Sequence, residues 1–169
     1  MLRPLAFALC LFVLSACATV ERVDAAADVH AFLIAVRDGD RAAFDRHVDR
    51  PALKAQLRSR VIEEGARHGG PQSFAAGAAV LAGPLVDAGV DALVQPQVFR
   101  AAARLAGYGP ETAIPNPLII SRELRNLPGG RACVVIDRQC SFVFKNEDGV
   151  WRLIAFEGDL GAMRRRIGR

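Results

Sequence analysis

Aromatic residues and histidines are scarce in this sequence, and neither sign of charge is in large excess. The 169 residues include one Trp, one Tyr, nine Phe and three His, and the formal net charge is +4. A charge balance this small does not predict nucleic-acid binding, which normally needs a strongly basic surface. No repeat of about 20–50 residues is found, so solenoid and propeller folds are not expected. The length fits one domain of ordinary size.

Recognisable catalytic motifs are also lacking. The sequence has no Gly-rich phosphate loop and no nucleophile elbow. The titratable candidates are three histidines and two aspartate pairs spaced four residues apart: His30, His47, His68, Asp45 with Asp49, and Asp87 with Asp91. His30 and His47 lie on successive helices and could approach each other, but no third metal ligand follows at a suitable spacing. Aspartates on an amphipathic helix usually face solvent. The sequence therefore predicts a protein that is not an enzyme and has no cofactor or metal.

The N-terminus has the layout of a secretory signal peptide. Arg3 supplies the positive charge, the apolar stretch from Leu5 to Val13 follows, and Ser15 and Ala16 are small residues before Cys17. The four residues Leu14-Ser15-Ala16-Cys17 resemble the lipobox of bacterial lipoproteins: an aliphatic residue, two small residues and a cysteine.

That resemblance implies a definite fate for Cys17. In this class the thiol receives a diacylglycerol, the signal is cut before the cysteine, and the new amine is usually acylated. An Asp after the cysteine marks retention in the inner membrane, so Ala18 implies transfer to the outer membrane, facing the periplasm. Two or three acyl chains would make the attachment effectively permanent, since each buried CH₂ contributes about 0.8 kcal/mol.

Two other readings of the N-terminus stay open. Ala16-Cys17-Ala18 also matches an A-x-A cleavage site, and cutting after Ala18 would release a soluble secreted protein. The uncharged run from Pro4 to Val20 is close to the lower length limit of a membrane span, so an uncleaved anchor is the third reading.

The middle of the chain has helical periodicity interrupted by Gly and Pro. Two helices are predicted over about 24–37 and 41–48, a third begins at Asp49 and Pro51 and ends at 69–71, and a fourth, buried helix lies within 74–86. A fifth helix begins at Pro84, and its apolar face is formed by Val86, Val90, Leu93 and Val94. A sixth begins at Pro96, and its inward residues are Val98, Phe99, Ala102 and Leu105. Asp40 and Asp49 are good N-cap residues.

After Pro117 the apolar period changes from helical to alternating. Cys133–Asp137, Cys140–Lys145 and Val150–Phe156 are predicted strands, and Leu118–Leu127 is a weaker candidate. Residues 146–149 form a strong hairpin turn. The expected fold class is α+β: about five or six short helices packed on a C-terminal antiparallel meander of three to four strands. Trp151 is the expected core anchor between sheet and helices.

These patterns predict four regions. Residues 1–16 are a lipoprotein signal peptide, 17–27 a tether, 28–160 a single α+β domain and 161–169 a basic tail. The tail carries Arg164, Arg165, Arg166 and Arg169. It could either contact anionic lipid head groups or remain a solvated tail. A hairpin turn centred between Ile136 and Asp137 would pair Cys133 directly with Cys140 and permit a disulfide; two small buried thiols are the alternative.

Three segments resemble a bacterial family known as domain of unknown function 2939. They are VHAFLIAVRDGDRAAFDRHVDRPALKAQL (29–57), GPLVDAGVDALVQPQVFRAAARLAG (83–107) and DGVWRLIAFE (148–157). Arg50 departs from the pattern, where an aromatic or other apolar residue is expected. The family has no assigned activity, so the resemblance implies an architecture and no chemistry.

The sequence as a whole predicts a membrane-anchored envelope lipoprotein acting as a non-catalytic binding or accessory module. Its expected partners are the membrane, through lipid on Cys17, and a protein or a small apolar ligand. A structural envelope protein acting by protein contact only is the alternative. A closed pocket between the helices and Phe142, Phe144 and Trp151 would favour a ligand, and a filled core would favour contact only.

Overall fold

The computed structural model describes residues 3–68, 88, 91–105, 108–136 and 138–157. The elements with defined bounds are α1 (Arg3–Asp38), α2 (Arg41–Arg46), α3 (Arg50–His68), α4 (Pro96–Leu105), α5 (Pro117–Glu123), β1 (Leu124–Leu127), β2 (Arg131–Ile136), β3 (Gln139–Glu147) and β4 (Val150–Phe156). The strands form one antiparallel sheet in the order β1-β2-β3-β4. The predicted α+β class, with helices before a meander, is confirmed.

Helix α1 is longer than the sequence pattern indicates. It runs without interruption from Arg3 to Asp38 and ends at Gly39, whose φ is +73°. The residues expected to form a tether, 17–27, are therefore helical, and Ala25 and Ala26 are fully buried. The packed body begins at Ala25 rather than at residue 28. Alanine has the highest helix propensity, and its small side chain allows a neighbouring element to approach closely.

The two helices after α1 begin at the predicted caps. The Asp40 carboxylate accepts from the Ala43 N–H at 3.0 Å, and the Asp49 carboxylate accepts from the Ala52 N–H at 2.9 Å. Helix α2 ends at Arg46 and not at Val48, because Val48 forms an isolated parallel bridge with Leu153 of β4. The tertiary contact replaces the last helical turn.

Helix α4 begins at Pro96 as predicted, but its inward face is narrower than expected. Phe99 packs on the core, whereas Val98 is 37% exposed and Ala102 is exposed. Val94 is buried just before the helix, and Leu93, expected on the same face, is 54% exposed. The predicted break at 69–71, the predicted helix within 74–86 and the basic tail lie outside the described residues.

The strand expected over Leu118–Leu127 is wrong in its first part. Residues 117–123 form α5, and only Leu124–Leu127 is strand. The Asn116 side chain accepts from the Ile119 N–H at 3.0 Å, and Pro117 occupies the first turn, where a missing N–H costs nothing. A local capping signal therefore outweighs the strand propensity of Ile119 and Ile120.

Strand pairing assigns the side chains to two faces of the sheet. The rows that face the helices are Leu124, Val134, Phe142 and Phe156, and next to them Asn126, Ala132, Phe144 and Leu153. The β3–β4 turn has positive φ at Asp148 (54°) and Gly149 (82°), as a two-residue type I′ hairpin requires. That turn was correctly expected from the sequence.

The free edge of β4 is closed by groups from the helical half. Leu153 donates to the His47 carbonyl at 2.9 Å and accepts from the Asp49 N–H at 3.0 Å. Farther along, the Gln56 side chain of α3 donates to the Phe156 carbonyl at 2.8 Å and accepts from the Phe156 N–H at 2.9 Å. The Gln56 side chain thus makes the two hydrogen bonds that a neighbouring strand would make with Phe156. This protects an edge that could otherwise pair with another chain.

Replacing Gln56 with Leu should lower the free energy of unfolding by about 1–3 kcal/mol, because the Phe156 N–H loses its partner in a half-buried setting. Urea unfolding followed by circular dichroism measures the change. Gln97, which is exposed on α4, provides the matched control, and its replacement with Leu should change stability by less than about 0.5 kcal/mol. Equal stabilities of the two variants would contradict the edge-closing role.

Candidate functional site

Cys17, the residue with the most specific sequence signal, lies within α1. Its side chain is outside the described part of the chain, so lipid attachment remains a prediction. The helix continues from Cys17 to the buried Ala25, a distance of about 12 Å at the helical rise of about 1.5 Å per residue. No helix in the described residues is long and apolar enough to cross a membrane.

The aspartates considered for acid–base chemistry are used for structure. Asp45 accepts hydrogen bonds from the Arg50 guanidinium, with the Nε atom at 3.1 Å, and Asp49 caps α3. Asp91 forms an ion pair with Lys54 at 2.6 Å. Asp87, the remaining member of the pairs, lies outside the described residues. Carboxylates that are held by cations or by helix caps are poorly placed to exchange protons with a substrate.

Arg50 departs from the family pattern, and the structure gives it a clear role. Its guanidinium binds Asp45 on one side and donates to the Val94 carbonyl at 2.6 Å on the other. An aromatic side chain would fill this position by packing alone. Here a cation connects α2 with the segment that precedes α4, so the departure changes the type of contact and not the architecture.

The two histidines whose side chains are described, His30 and His47, make separate contacts. His30 Nδ1 lies 2.8 Å from the Pro115 carbonyl, which ties α1 to the loop before α5. His47 is buried in the turn after α2, and the His68 side chain lies outside the described part. No cluster of three or more His, Cys, Asp or Glu able to hold a metal ion exists among the described residues.

A buried polar junction at the centre of the fold joins three distant segments. The Asp28 carboxylate of α1 accepts from the Trp151 backbone N–H of β4 at 2.8 Å, and its other oxygen is 3.8 Å from His47 Nδ1. His47 is 5% exposed, and its Nδ1 has no hydrogen-bond partner. Sequence reasoning missed Asp28, because nothing local distinguishes it from the other acidic residues of a helix and its partner is 123 residues away.

The aromatic residues occupy the space where a ligand pocket was considered. Rings from α1, α2, α4 and the sheet pack against each other with centroid distances of 5.1–5.9 Å; they are Phe32, Phe44, Phe99, Phe142, Phe144 and Phe156. Trp151, the expected anchor, is fully buried beside them. Among the described residues, the interface between sheet and helices is therefore filled by side chains.

A groove is present instead on the surface of α1. It is a shallow depression, open to solvent, of about 360 Å³, and its lining in the described part is Val20, Val23, Asp24 and Ala27. Val20 is 68% exposed and Val23 is 40% exposed. The four residues follow the i, i+3, i+4, i+7 spacing of one helix face. We call this surface the α1 groove.

Cys133 and Cys140 lie on the face of the sheet opposite to Phe142 and Phe144 and are joined by a disulfide. They do not pair directly across the hairpin as expected. Cys133 pairs with Val143 and Cys140 pairs with Val135, because Ser141 is an extra residue on β3. The bulge shifts the register, and the cysteines become diagonal neighbours with a Cα–Cα distance of 5.6 Å.

An ion pair at the C-terminal end of α1 perturbs ionisation at the surface. The hydrogen bond that Arg37 donates to Asp38, at 2.7 Å, lowers the pKa of the Asp38 carboxyl and raises that of the Arg37 guanidinium. Both side chains are exposed to solvent, where such pairs contribute little to stability. This pair is therefore a surface feature and not a candidate site.

Comparison with known proteins supports the resemblance seen in the sequence. Neither the curated proteins nor the solved structures contain a match to the chain. A family model matches residues 5–102, which includes the first segment of the resemblance, residues 83–102 of the second, and the apolar N-terminal run. The third segment, 148–157, lies beyond the match and remains a resemblance. Because the model covers more than half of the chain, the protein belongs to the family described as "Protein of unknown function (DUF2939)".

Proposed function

We propose that this protein is a lipid-anchored envelope lipoprotein whose α+β body acts as a non-catalytic accessory module. The observation that carries the proposal is the sequence Leu14-Ser15-Ala16-Cys17 at the end of a charged and then apolar N-terminal run. The Cys133–Cys140 disulfide supports it, because disulfides persist mainly in exported proteins. The membrane concerned is the outer membrane, on the periplasmic side, since Ala18 and not Asp follows Cys17.

The packing of the body favours action by contact with another protein. A small apolar ligand would need a cavity between the sheet and the helices, and six phenylalanine rings fill that space in the described residues. The acidic residues considered for catalysis hold helix caps and ion pairs. Both observations support a module that presents a surface rather than a reaction centre.

Mass spectrometry of the protein purified from a bacterial membrane tests the anchor. The expected N-terminal peptide begins at Cys17 and carries a diacylglycerol on the thiol and an acyl chain on the amine. Replacing Cys17 with Ser should abolish the lipid, and the intact mass should then show a chain that keeps its apolar N-terminal run or is cut after Ala18. A mature, unmodified chain that begins after Ala18 would contradict the proposal and establish a secreted protein.

Native mass spectrometry of the same preparation separates protein contact from ligand binding. A single mass equal to that of the lipidated chain supports contact. A bound apolar molecule that copurifies in stoichiometric amount would favour the small-ligand alternative and require a cavity that includes residues beyond those described.

A further inference from the structure

We infer that one face of the sheet is the contact surface of the body, and that its partner is an acidic helix of another protein. This inference deepens the proposed protein contact and rests on it. The surface is formed by Arg131 of β2, Lys145 of β3 and Arg152 of β4, which we call the cation row. The partner supplies carboxylates, and recognition is by charge.

The register of the sheet places the three cations side by side. Arg131 pairs with Lys145, and Lys145 pairs with Arg152. Their chain neighbours Phe144 and Leu153 are buried in the core. Because successive side chains of a strand alternate between the two faces, the cation row lies on the face opposite to the core.

The cation row is open to solvent. The Lys145 side chain is 45% exposed and that of Arg152 is 38% exposed, and Arg131 is exposed as well. The next row on the same face contains Cys133 and Val143, which are buried. A partner can therefore reach the three cations but not Cys133 or Val143.

The fold neutralises only part of the charge of the cation row. Glu147 is shared by two of the cations, with Oε1 3.0 Å from Lys145 Nζ and Oε2 3.7 Å from Arg152 Nη1. Arg131 donates from its Nε to the Pro128 carbonyl at 2.9 Å, and no carboxylate of the described residues forms an ion pair with it. Three positive charges thus stand beside one negative charge.

Stability does not explain this arrangement. Like charges directly opposite each other on neighbouring strands are destabilising. Cations that protect a sheet from pairing with other chains belong on its edge strands, whereas β2 and β3 are interior strands. An acidic partner would remove the repulsion on binding, and complementary charge of this kind gives an interface its specificity.

The spacing of the cation row favours a helical partner. Neighbouring strands lie about 4.8 Å apart, so three cations in a row span about 10 Å. Carboxylates three or four residues apart on a helix are about 5–6 Å from each other, whereas alternate residues of an extended strand are about 6.6 Å apart. A helix lying across the strands therefore brings one carboxylate to each cation, and arginine can bind a carboxylate through two parallel hydrogen bonds.

A peptide titration of the full lipidated chain in neutral detergent tests this contact. The probe is an alanine-rich peptide of about twenty residues, long enough to be helical, whose glutamates lie on one face at positions i, i+3 and i+7 of each repeat. Fluorescence anisotropy should show binding at least about fivefold tighter than that of a peptide of equal composition with glutamates spread around the helix. Equal binding of the two peptides, or no binding of either, would overturn the inference.

A double variant assigns the binding to the cation row. Arg131→Gln with Lys145→Gln should weaken the affinity by at least about tenfold, which corresponds to about 1.4 kcal/mol. Its urea midpoint should not fall, because two opposed like charges are removed. The matched control is Arg46→Gln with Arg104→Gln, which removes the same charge from exposed positions of α2 and α4 and should change the affinity by less than about twofold.

Two results with these variants would contradict the role of the cation row. One is a double variant that binds the peptide as tightly as the control does. The other is a urea midpoint below that of the control, which would make the cation row part of the scaffold rather than a contact surface.

A third arm separates a protein partner from a lipid surface. Full displacement of the peptide by phosphatidylglycerol micelles, with none by phosphatidylcholine micelles, would assign the cation row to anionic head groups and overturn the acidic helix. The proposed anchor fails separately: a chain without lipid on Cys17 would contradict the anchor, and the peptide titration would still decide the cation row.

Discussion

Replacing Trp151 with Ala should lower the free energy of unfolding by about 3–5 kcal/mol, the cost of truncating a fully buried Trp. Trp151 is completely buried, and its strand packs against both α1 and α3 through Asp28 and Gln56. A domain of this size is stable by about 5–15 kcal/mol in total, so the change removes a large share of it. Urea unfolding should be followed by circular dichroism, because Trp151 is the only tryptophan.

Two comparisons make the Trp151 result specific. Tyr108, the only tyrosine, is 63% exposed, and Tyr108→Ala should change stability by no more than about 0.5 kcal/mol. Trp151→Phe should cost clearly less than Trp151→Ala, because it keeps most of the ring volume and removes an indole N–H that is buried without a partner. If Trp151→Ala were no more harmful than Tyr108→Ala, the anchoring role of Trp151 would be refuted.

The second large effect is expected at Asp28. Asp28→Ala should lower the free energy of unfolding by about 2–4 kcal/mol, since it leaves the Trp151 backbone N–H without an acceptor inside the protein. It also removes the carboxylate beside the buried His47. Asp28→Asn should cost less than half as much, because its amide oxygen can still accept from Trp151.

Asp24 provides the matched control for Asp28. It occupies the same helix one turn earlier, and it is exposed. Asp24→Ala should change stability by less than about 0.5 kcal/mol in the same urea titration. If the contacts of Asp28 did not stabilise the fold, the two alanine variants would have equal free energies of unfolding. The geometry instead predicts a large loss for Asp28→Ala only.

The helix caps and the β3–β4 turn show where local sequence signals are enough to predict the structure. The sequence predicts the caps at Asp40 and Asp49 and a hairpin turn over residues 146–149, because each depends on residues within one turn of the chain. Leu118–Glu123 shows the reverse. The stretch has strand propensity, but a cap at Asn116 and burial of Ile120 against the core make it helical.

The partners of Asp28 and Gln56 could not be inferred, since a hydrogen bond across about a hundred residues leaves no local pattern. In the sequence, Gln56 looks like any other polar residue of the amphipathic helix α3. Only the position of β4 in the folded chain allows its two hydrogen bonds to the Phe156 backbone. The positions of Cys133 and Cys140 relative to each other also could not be inferred, because one extra residue on β3, Ser141, shifts the β2–β3 pairing between Val134 and Val135.

By itself, the sequence determined the starts of α2, α3 and α4, the alternation of the last three strands and the α+β class, because these follow from composition and from contacts between near neighbours. The tertiary structure decided that residues 17–27 are part of α1, that aromatic rings fill the space between sheet and helices, and that Val20 and Val23 remain exposed beside Cys17. The physical reason is that burial and edge closure depend on which distant elements meet, and only the folded chain brings them together.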